Sequence, residues 1–191
     1  MTTVYFIRHA EPNYQNHNDL QRELTEKGLR DRELVTKYLS DKAIDAVLSS
    51  PYVRAVDTVK DVADRQGLPI ETDMRFRERK VDSVWIEDFD AFCRRQWSDF
   101  SYKLTDGETL GEVQERNIAA LRDVLDRYSG RNIVIGSHGT ALSTVIHTFD
   151  PSFGYEDFER IRPIMPFIVK FVFDGTALVE TEMINVFELY K

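Results

Sequence analysis

The chain has 191 residues, 30% of them charged and 42% hydrophobic, with 25 Lys and Arg against 33 Asp and Glu for a formal net charge of −8. That composition is too apolar for a disordered chain and predicts one folded domain over residues 1–191. The acidic balance, without a basic stripe or tail, excludes nonspecific binding to nucleic acid or to an anionic membrane surface. No apolar run approaches the roughly 18 to 20 residues of a membrane span, and the first residues lack the order of a signal peptide, so a cytoplasmic location is expected. The single cysteine, Cys93, cannot form an internal disulfide, in keeping with a reducing compartment, and reads as a buried or incidental thiol rather than a nucleophile.

Val4 to Ile7 is an unbroken apolar run, the pattern of a strand buried on both faces, and it ends in Arg8-His9. In open parallel sheets ligands sit beyond the carboxyl ends of the strands, so Arg8 and His9 are expected at a ligand site, with an anion as the natural ligand. Asn13 to Gln21 is a polar loop at the rim of that site. Thr25 is the expected N-cap of a helix on which Leu29, Leu34, Val35, Tyr38 and Leu39 share a face, and Gly28 in its first turns points to close packing. Ile44 to Leu48 is a second apolar run, broken at Ser49-Ser50-Pro51. A helix follows from about Tyr52 to Gln66, opened by Pro51 and closed at Gly67, with Arg54 in its first turn, where free backbone N–H groups favour anions.

Pro69 to Thr72 predicts a short edge strand, and Met74 to Lys80 is dense in charge without a period, which by itself describes a solvated face. Trp85 to Tyr102 is rich in aromatic residues and predicts a small helical lid or insertion around residues 85–105 whose rings pack on the main body. Gly107-Glu108-Thr109 introduces a long helix through Leu125, ended by Gly130. Asn132 to Ile135 is a strongly β-branched strand that runs into Gly136-Ser137-His138, and a helix spans Ala141 to Phe149. Phe167 to Phe173 and Leu178 to Phe187 flank Asp174-Gly175, a hairpin signal, and predict antiparallel strands at one side of the sheet.

This order predicts an α/β fold: a three-layer α/β/α sandwich with a mostly parallel central sheet, an antiparallel edge strand and a small helical insertion. A lone histidine at a strand end is more often a hydrogen-bonded structural residue than a catalyst, and a lone arginine is more often a surface charge. Here Arg8-His9, Ser50-Pro51 with Arg54, and Ser137-His138-Gly139 all fall where strands feed their next loops, and such places converge on one crevice. Two histidines and two arginines there suit a phosphate: arginine grips phosphate oxygens in a fork, and a neutral imidazole is a nitrogen nucleophile. The adjacent arginines would repel a divalent cation, so no metal and no cofactor is expected.

Four ordered motifs carry a resemblance. Ile7-Arg8-His9-Ala10-Glu11, Ser49-Ser50-Pro51 followed by Arg54-Ala55 and Thr58, Arg77-Glu78-Arg79-Lys80, and Gly136-Ser137-His138-Gly139 are similar to the motifs of the histidine phosphatase superfamily, also called the phosphoglycerate mutase family, and Leu24 to Gly28 is similar to a further segment. The resemblance implies that His9 takes the phosphoryl group, that Arg8, Arg54 and His138, with Gly139, hold its oxygens, and that Glu78 protonates the leaving alcohol and then activates water. Two cations, Arg79 and Lys80, follow Glu78 directly, a setting in tension with proton donation. The chain departs from the family at Ala10, where glycine is commoner, and at Gln15, where an Asn often touches phosphate; Asn13 is the alternative for that contact.

The resulting expectation is a phosphoric monoester hydrolase of the histidine acid phosphatase type, acting on a small phosphorylated substrate, with neither nucleic acid nor membrane as partner. Two alternatives stand beside it. One is a cofactor-dependent phosphoglycerate mutase, whose glycolytic members are longer; the other is a phosphate-ligand binding module without turnover. A homodimer through edge strands or exposed aromatics is left open.

Overall fold

The apolar run near the start of the chain becomes a central strand of a six-stranded sheet. The computed structural model describes residues 1–84 and 86–191; Trp85, first of the aromatic stretch, lies outside the described residues. The strands are β1 (Thr2–Arg8), β2 (Ala46–Ser49), β3 (Ile70–Thr72), β4 (Asn132–Ser137), β5 (Phe167–Asp174) and β6 (Ala177–Ile184). Their order is β3-β2-β4-β1-β5-β6, with the first four parallel and β5 antiparallel to both its neighbours. The Asp174-Gly175 signal marks the β5–β6 hairpin, and β6 stops at Ile184, where the chain turns into a short helix rather than running on to Phe187.

Side chains alternate across β1. Val4 and Phe6 enter one apolar cluster, Tyr5 and Ile7 the other, and Val4, Phe6 and Ile7 are fully buried. Burial of each such side chain contributes about 1.5–3 kcal/mol. Helices α1 (Glu26–Leu39) and α2 (Val53–Gln66) cover the Tyr5 face together with a four-residue turn near the C-terminus. The Phe6 face is covered by α3 (Phe89–Ser98), α4 (Leu110–Arg127), α5 (Gly139–Phe149) and α6 (Tyr155–Ile161). Three layers result, with the sheet in the middle.

Local chemistry explains the boundaries. Thr25 caps α1, its hydroxyl accepting from the Gly28 N–H, and Thr109 and Glu112 form a capping box at the start of α4. Gly28 does serve close packing: a Cβ there would stand 2.3 Å from the Glu11 backbone oxygen, so α1 lies directly on the loop that leaves β1. Leu29 departs from the expected face and is exposed. Pro51 precedes α2 instead of occupying its first position, and α5 begins at Gly139, two residues earlier than its apolar pattern suggests. Helix α6 was not legible in the sequence. Among the described residues no helix is long and apolar enough to cross a membrane.

Candidate active site

Three parallel strands end in register. Arg8 of β1 is paired with Ser137 of β4, and the His9 N–H donates to the Ser137 carbonyl at 3.1 Å. Ser49 of β2 is paired with Gly136, and the Ser50 N–H donates to the Gly136 carbonyl at 2.8 Å. The residues that follow, His9, Ser50 and His138, therefore leave the sheet side by side. The two imidazole rings are 5.3 Å apart, Tyr52 packs against His138 at 5.1 Å, and the Arg54 guanidinium lies 5.0 Å over the Tyr52 ring.

The hydrogen bonding of His9 defines its tautomer. Its Nδ1 lies 2.7 Å from the Ala10 carbonyl, and because a carbonyl only accepts, Nδ1 carries the proton. The lone pair is then on Nε2. Burial, reinforced by the Arg54 and Arg8 charges, holds the His9 pKa well below its usual value, so the ring is neutral near pH 7. Ala10 is accommodated without strain: among the described residues only glycines have positive φ, and the Ala10 N–H donates to the Thr58 hydroxyl at 3.0 Å.

Arg8 is only 6% exposed, and burial draws its pKa down to about 10, which leaves it cationic at neutral pH. Its Nη1 donates to the Ile161 carbonyl at 2.8 Å and to the Ile164 carbonyl at 3.3 Å. Its Nε is buried without a partner. One edge of the guanidinium is thus anchored while the Nε side keeps donor capacity, an arrangement suited to an anion. The guanidinium lies against Gly139, where a Cβ would stand 3.1 Å from Nε and 3.2 Å from Cζ, so a side chain at the first residue of α5 would press Arg8 out of this position by a few tenths of an ångström.

Arg54, in the first turn of α2, is held by Asp19 from the rim loop: Nη1 donates to the Asp19 carbonyl at 2.6 Å, and Nη2 lies 2.9 Å from the Asp19 carboxylate. His138 is fully buried, and burial together with the nearby Arg54 charge also pushes its pKa well below the usual value. Its Nε2 is 2.8 Å from the Ser50 hydroxyl, which itself accepts from the Tyr52 N–H. With that N–H accepted, the hydroxyl proton can point at Nε2, the arrangement in which His138 carries its own proton on Nδ1, an atom buried without a partner. In that tautomer Nδ1 is a donor.

The charge-dense stretch supplies more than a solvated face. Arg79 is buried, its guanidinium bound to Gln96 at 2.6 Å and lying near Cys93 and the Phe92 ring. Lys80 reaches Ser83. Neither cation is bound to the Glu78 carboxylate, which turns the other way and accepts from the backbone N–H groups of Arg79 at 2.8 Å and of Thr140 and Ala141 at 3.0 Å each. Glu78 therefore stands at the N-terminus of α5, the helix capped by His138, whose Gly139 supports Arg8.

The structure thus gathers Arg8, His9, Arg54, Glu78, His138 and Gly139. Asn13 and Gln15 have partners inside the rim loop: Asn13 donates to Glu23 at 2.6 Å and accepts from the Gln15 N–H at 3.1 Å, and Gln15 is exposed. Reasoning from sequence did not assign Ser50, Thr58 or Asp19 a role in the site; Ser50 and Thr58 lie in the segment from Ser49 to Thr58 that carries part of the resemblance, and Asp19 carries no local signal. Cys93 is buried, and burial raises its thiol pKa, away from nucleophilic use. Among the described residues no group of three or more His, Cys, Asp or Glu side chains could hold a metal ion.

Residues 4–177 match the model of the histidine phosphatase superfamily, branch 1, and the chain belongs to that superfamily. A probable phosphoglycerate mutase, GpmB, from Yersinia pestis is 30% identical over 160 residues, 78% of this chain and 74% of the relative. Among solved structures, Bacillus stearothermophilus YhfR is 26% identical with a TM-score of 0.78, covering 94% of this chain and 95% of its own. Phosphoserine phosphatase from Entamoeba histolytica, solved with phosphoserine, shares the fold at a TM-score of 0.78 and 20% identity, over 97% of this chain and 98% of its own.

Proposed function

We propose that this chain is a phosphomonoesterase that hydrolyses a small phosphate ester through a phosphohistidine on His9. His9 Nε2 attacks phosphorus in line with the leaving alcohol, forming a P–N bond as the P–O bond breaks. The Nε side of Arg8, the Arg54 guanidinium and His138 Nδ1–H hold the three non-bridging oxygens, whose charge is met by preorganised donors in a buried site. Glu78 gives its proton to the alcohol oxygen. In the second half, Glu78 takes a proton from water as that water attacks phosphorus, and phosphate and free His9 are released.

The observation that carries this reading is the hydrogen bond from His9 Nδ1 to the Ala10 carbonyl, because it leaves the Nε2 lone pair free on a ring kept neutral by burial. The test is an assay of p-nitrophenyl phosphate and a panel of phosphorylated metabolites with the natural chain and His9→Ala. Turnover by the natural chain and its loss in the variant are expected, and equal activity in the two would sink the mechanism.

A second reading, a phosphoglycerate mutase that returns the phosphoryl group to its substrate, is favoured by the likeness to the probable mutase from Yersinia pestis. Conversion of 3- to 2-phosphoglycerate with little release of inorganic phosphate would select it over hydrolysis.

A further inference from the structure

The stretch that carries Glu78 has no helix or sheet of its own to hold it. After the short 3-10 turn Met74–Phe76 it runs outside the sheet, so its carbonyl groups need partners from elsewhere. One side chain supplies them. Arg116 of α4 donates through Nη1 to the Arg75 carbonyl at 2.7 Å and to the Arg77 carbonyl at 2.8 Å, and through Nη2 to the Glu78 carbonyl at 3.2 Å. Its other N–H groups meet a carboxylate: Nε lies 3.0 Å from Glu108 Oε1 and Nη2 lies 3.1 Å from Glu108 Oε2. All five donors of the guanidinium are thereby used, three of them on the main chain at and just before Glu78.

Glu108 belongs to the same brace. Its carboxylate also accepts from the Lys80 N–H at 2.9 Å and from Arg77 Nη2, its own N–H donates to the Lys80 carbonyl at 2.8 Å, and its carbonyl accepts from Gln96 Nε2 at 2.9 Å. Gly107 lies tight against the same segment, where a Cβ would stand 2.2 Å from the Val81 backbone oxygen. The chain is therefore held on both sides of Glu78, by Arg116 before it and by Glu108 after it. The Arg116 and Glu108 side chains are only 12% and 14% exposed, which spares this pair most of the screening that weakens a surface ion pair. The Glu78 carboxylate, meanwhile, accepts from the Thr140 and Ala141 N–H groups of α5, and Gln114 of α4 donates to the Thr144 carbonyl of α5 at 3.1 Å. Glu78 thus spans two helices, its main chain fixed from α4 and its carboxylate set at the start of α5 beside His138.

Building on the phosphatase reading, we propose that Arg116, braced by Glu108, is the positioning residue for proton transfer by Glu78: it fixes the main chain from which the carboxyl reaches the leaving oxygen and, in the second half, the attacking water. Proton transfer needs heavy atoms within about 2.6–3.2 Å, so a main-chain shift of about 1 Å disables that step. The grip of Arg8, Arg54 and His138 on the phosphoryl group does not pass through this brace.

Leaving groups of different quality separate this role from plain support of the fold. p-Nitrophenolate departs without a proton, whereas the alkoxide of glycerol 3-phosphate has to be protonated as the P–O bond breaks. For either ester kcat/KM covers transfer to His9, while kcat also contains hydrolysis of the phosphohistidine, in which Glu78 takes a proton from water. In Arg116→Lys, which keeps the charge and loses the fork, kcat/KM for glycerol 3-phosphate is expected to fall about 10- to 100-fold. For p-nitrophenyl phosphate kcat/KM should stay within about 2-fold while kcat and KM fall together. Glu108→Gln, close in shape to the natural residue, should give the same pattern with a smaller loss, and it decides the matter if Arg116→Lys does not fold in circular dichroism. Glu78→Gln, measured alongside, should give the pattern in full. If Glu78→Gln lacks the pattern, or the natural chain hydrolyses neither ester, the phosphatase reading of Glu78 fails and this inference falls with it. If Glu78→Gln shows the pattern while the folded brace variants lose activity equally on both esters, or lose none, the proposal alone is overturned.

Discussion

Asp19 holds Arg54 through both its backbone carbonyl and its carboxylate, at 2.6 and 2.9 Å. Arg54 is 2% exposed, whereas the Asp19 side chain is 43% exposed, so the rim loop covers a buried cation with a solvent-facing anion. A phosphoryl group reaching Arg54 competes with that carboxylate. Asp19→Asn keeps the backbone contact and removes the competing charge. The screened pair is worth up to about 1 kcal/mol, so the inhibition constant for inorganic phosphate should tighten by about 2- to 5-fold. A weakened constant would show that Asp19 orders the site instead.

The two histidines make stability depend on pH. Their folded pKa values lie below the unfolded value of about 6.5, so below that pH the unfolded chain binds more protons than the native one. Stability is therefore full above about pH 6.5 and declines as pH falls from there toward the folded values, by up to about 1.4 kcal/mol per pH unit for each histidine. Urea unfolding at about pH 7.5 and 5.5 measures the slope, and His138→Gln should reduce it relative to the natural chain. An unchanged slope would mean that the rings are not held neutral.

Two glycines separate support of the fold from support of the site. Gly28→Ala puts a methyl group 2.3 Å from the Glu11 backbone oxygen and should destabilise the chain by about 1–3 kcal/mol in denaturant unfolding. Gly139→Ala presses on the Arg8 guanidinium at 3.1 Å, a side chain that can yield, so the expected loss is in kcat/KM, by about 10-fold, with a smaller change in stability.

Ser50→Ala removes the hydroxyl that meets His138 Nε2 and with it the reason for the Nδ1–H tautomer. A decrease of kcat/KM by about 10-fold is expected, in line with losing one hydrogen bond that orients a donor. Full activity in this variant would show that the histidine keeps its orientation without the hydroxyl.

Where the chain's local pattern and its burial agree, the fold could be read in advance. Val4 to Ile7 and Ile133 to Ile135 are buried on both faces, and continuous apolar runs report that directly. Glu78 could be found only by family position, because Met74 to Lys80 contains one 3-10 turn and then extended chain whose side chains answer to distant partners: Phe76 to the core, Arg79 to Gln96, Glu78 to α5. Helix α6 escaped because in its seven residues only Phe158 and Ile161 are buried, too few to set a period. The contact between Asp19 and Arg54 joins the rim loop to the first turn of α2, 35 residues apart, and nothing local marks it.

The most direct test of the account is to trap the intermediate. Rapid quenching of a reaction with radiolabelled p-nitrophenyl phosphate should leave label on the protein that is stable to alkali, labile to acid, carried by the peptide containing His9, and missing from His9→Ala. Turnover with no labelled protein at any quench time, or label that persists in His9→Ala, would contradict a phosphohistidine on His9.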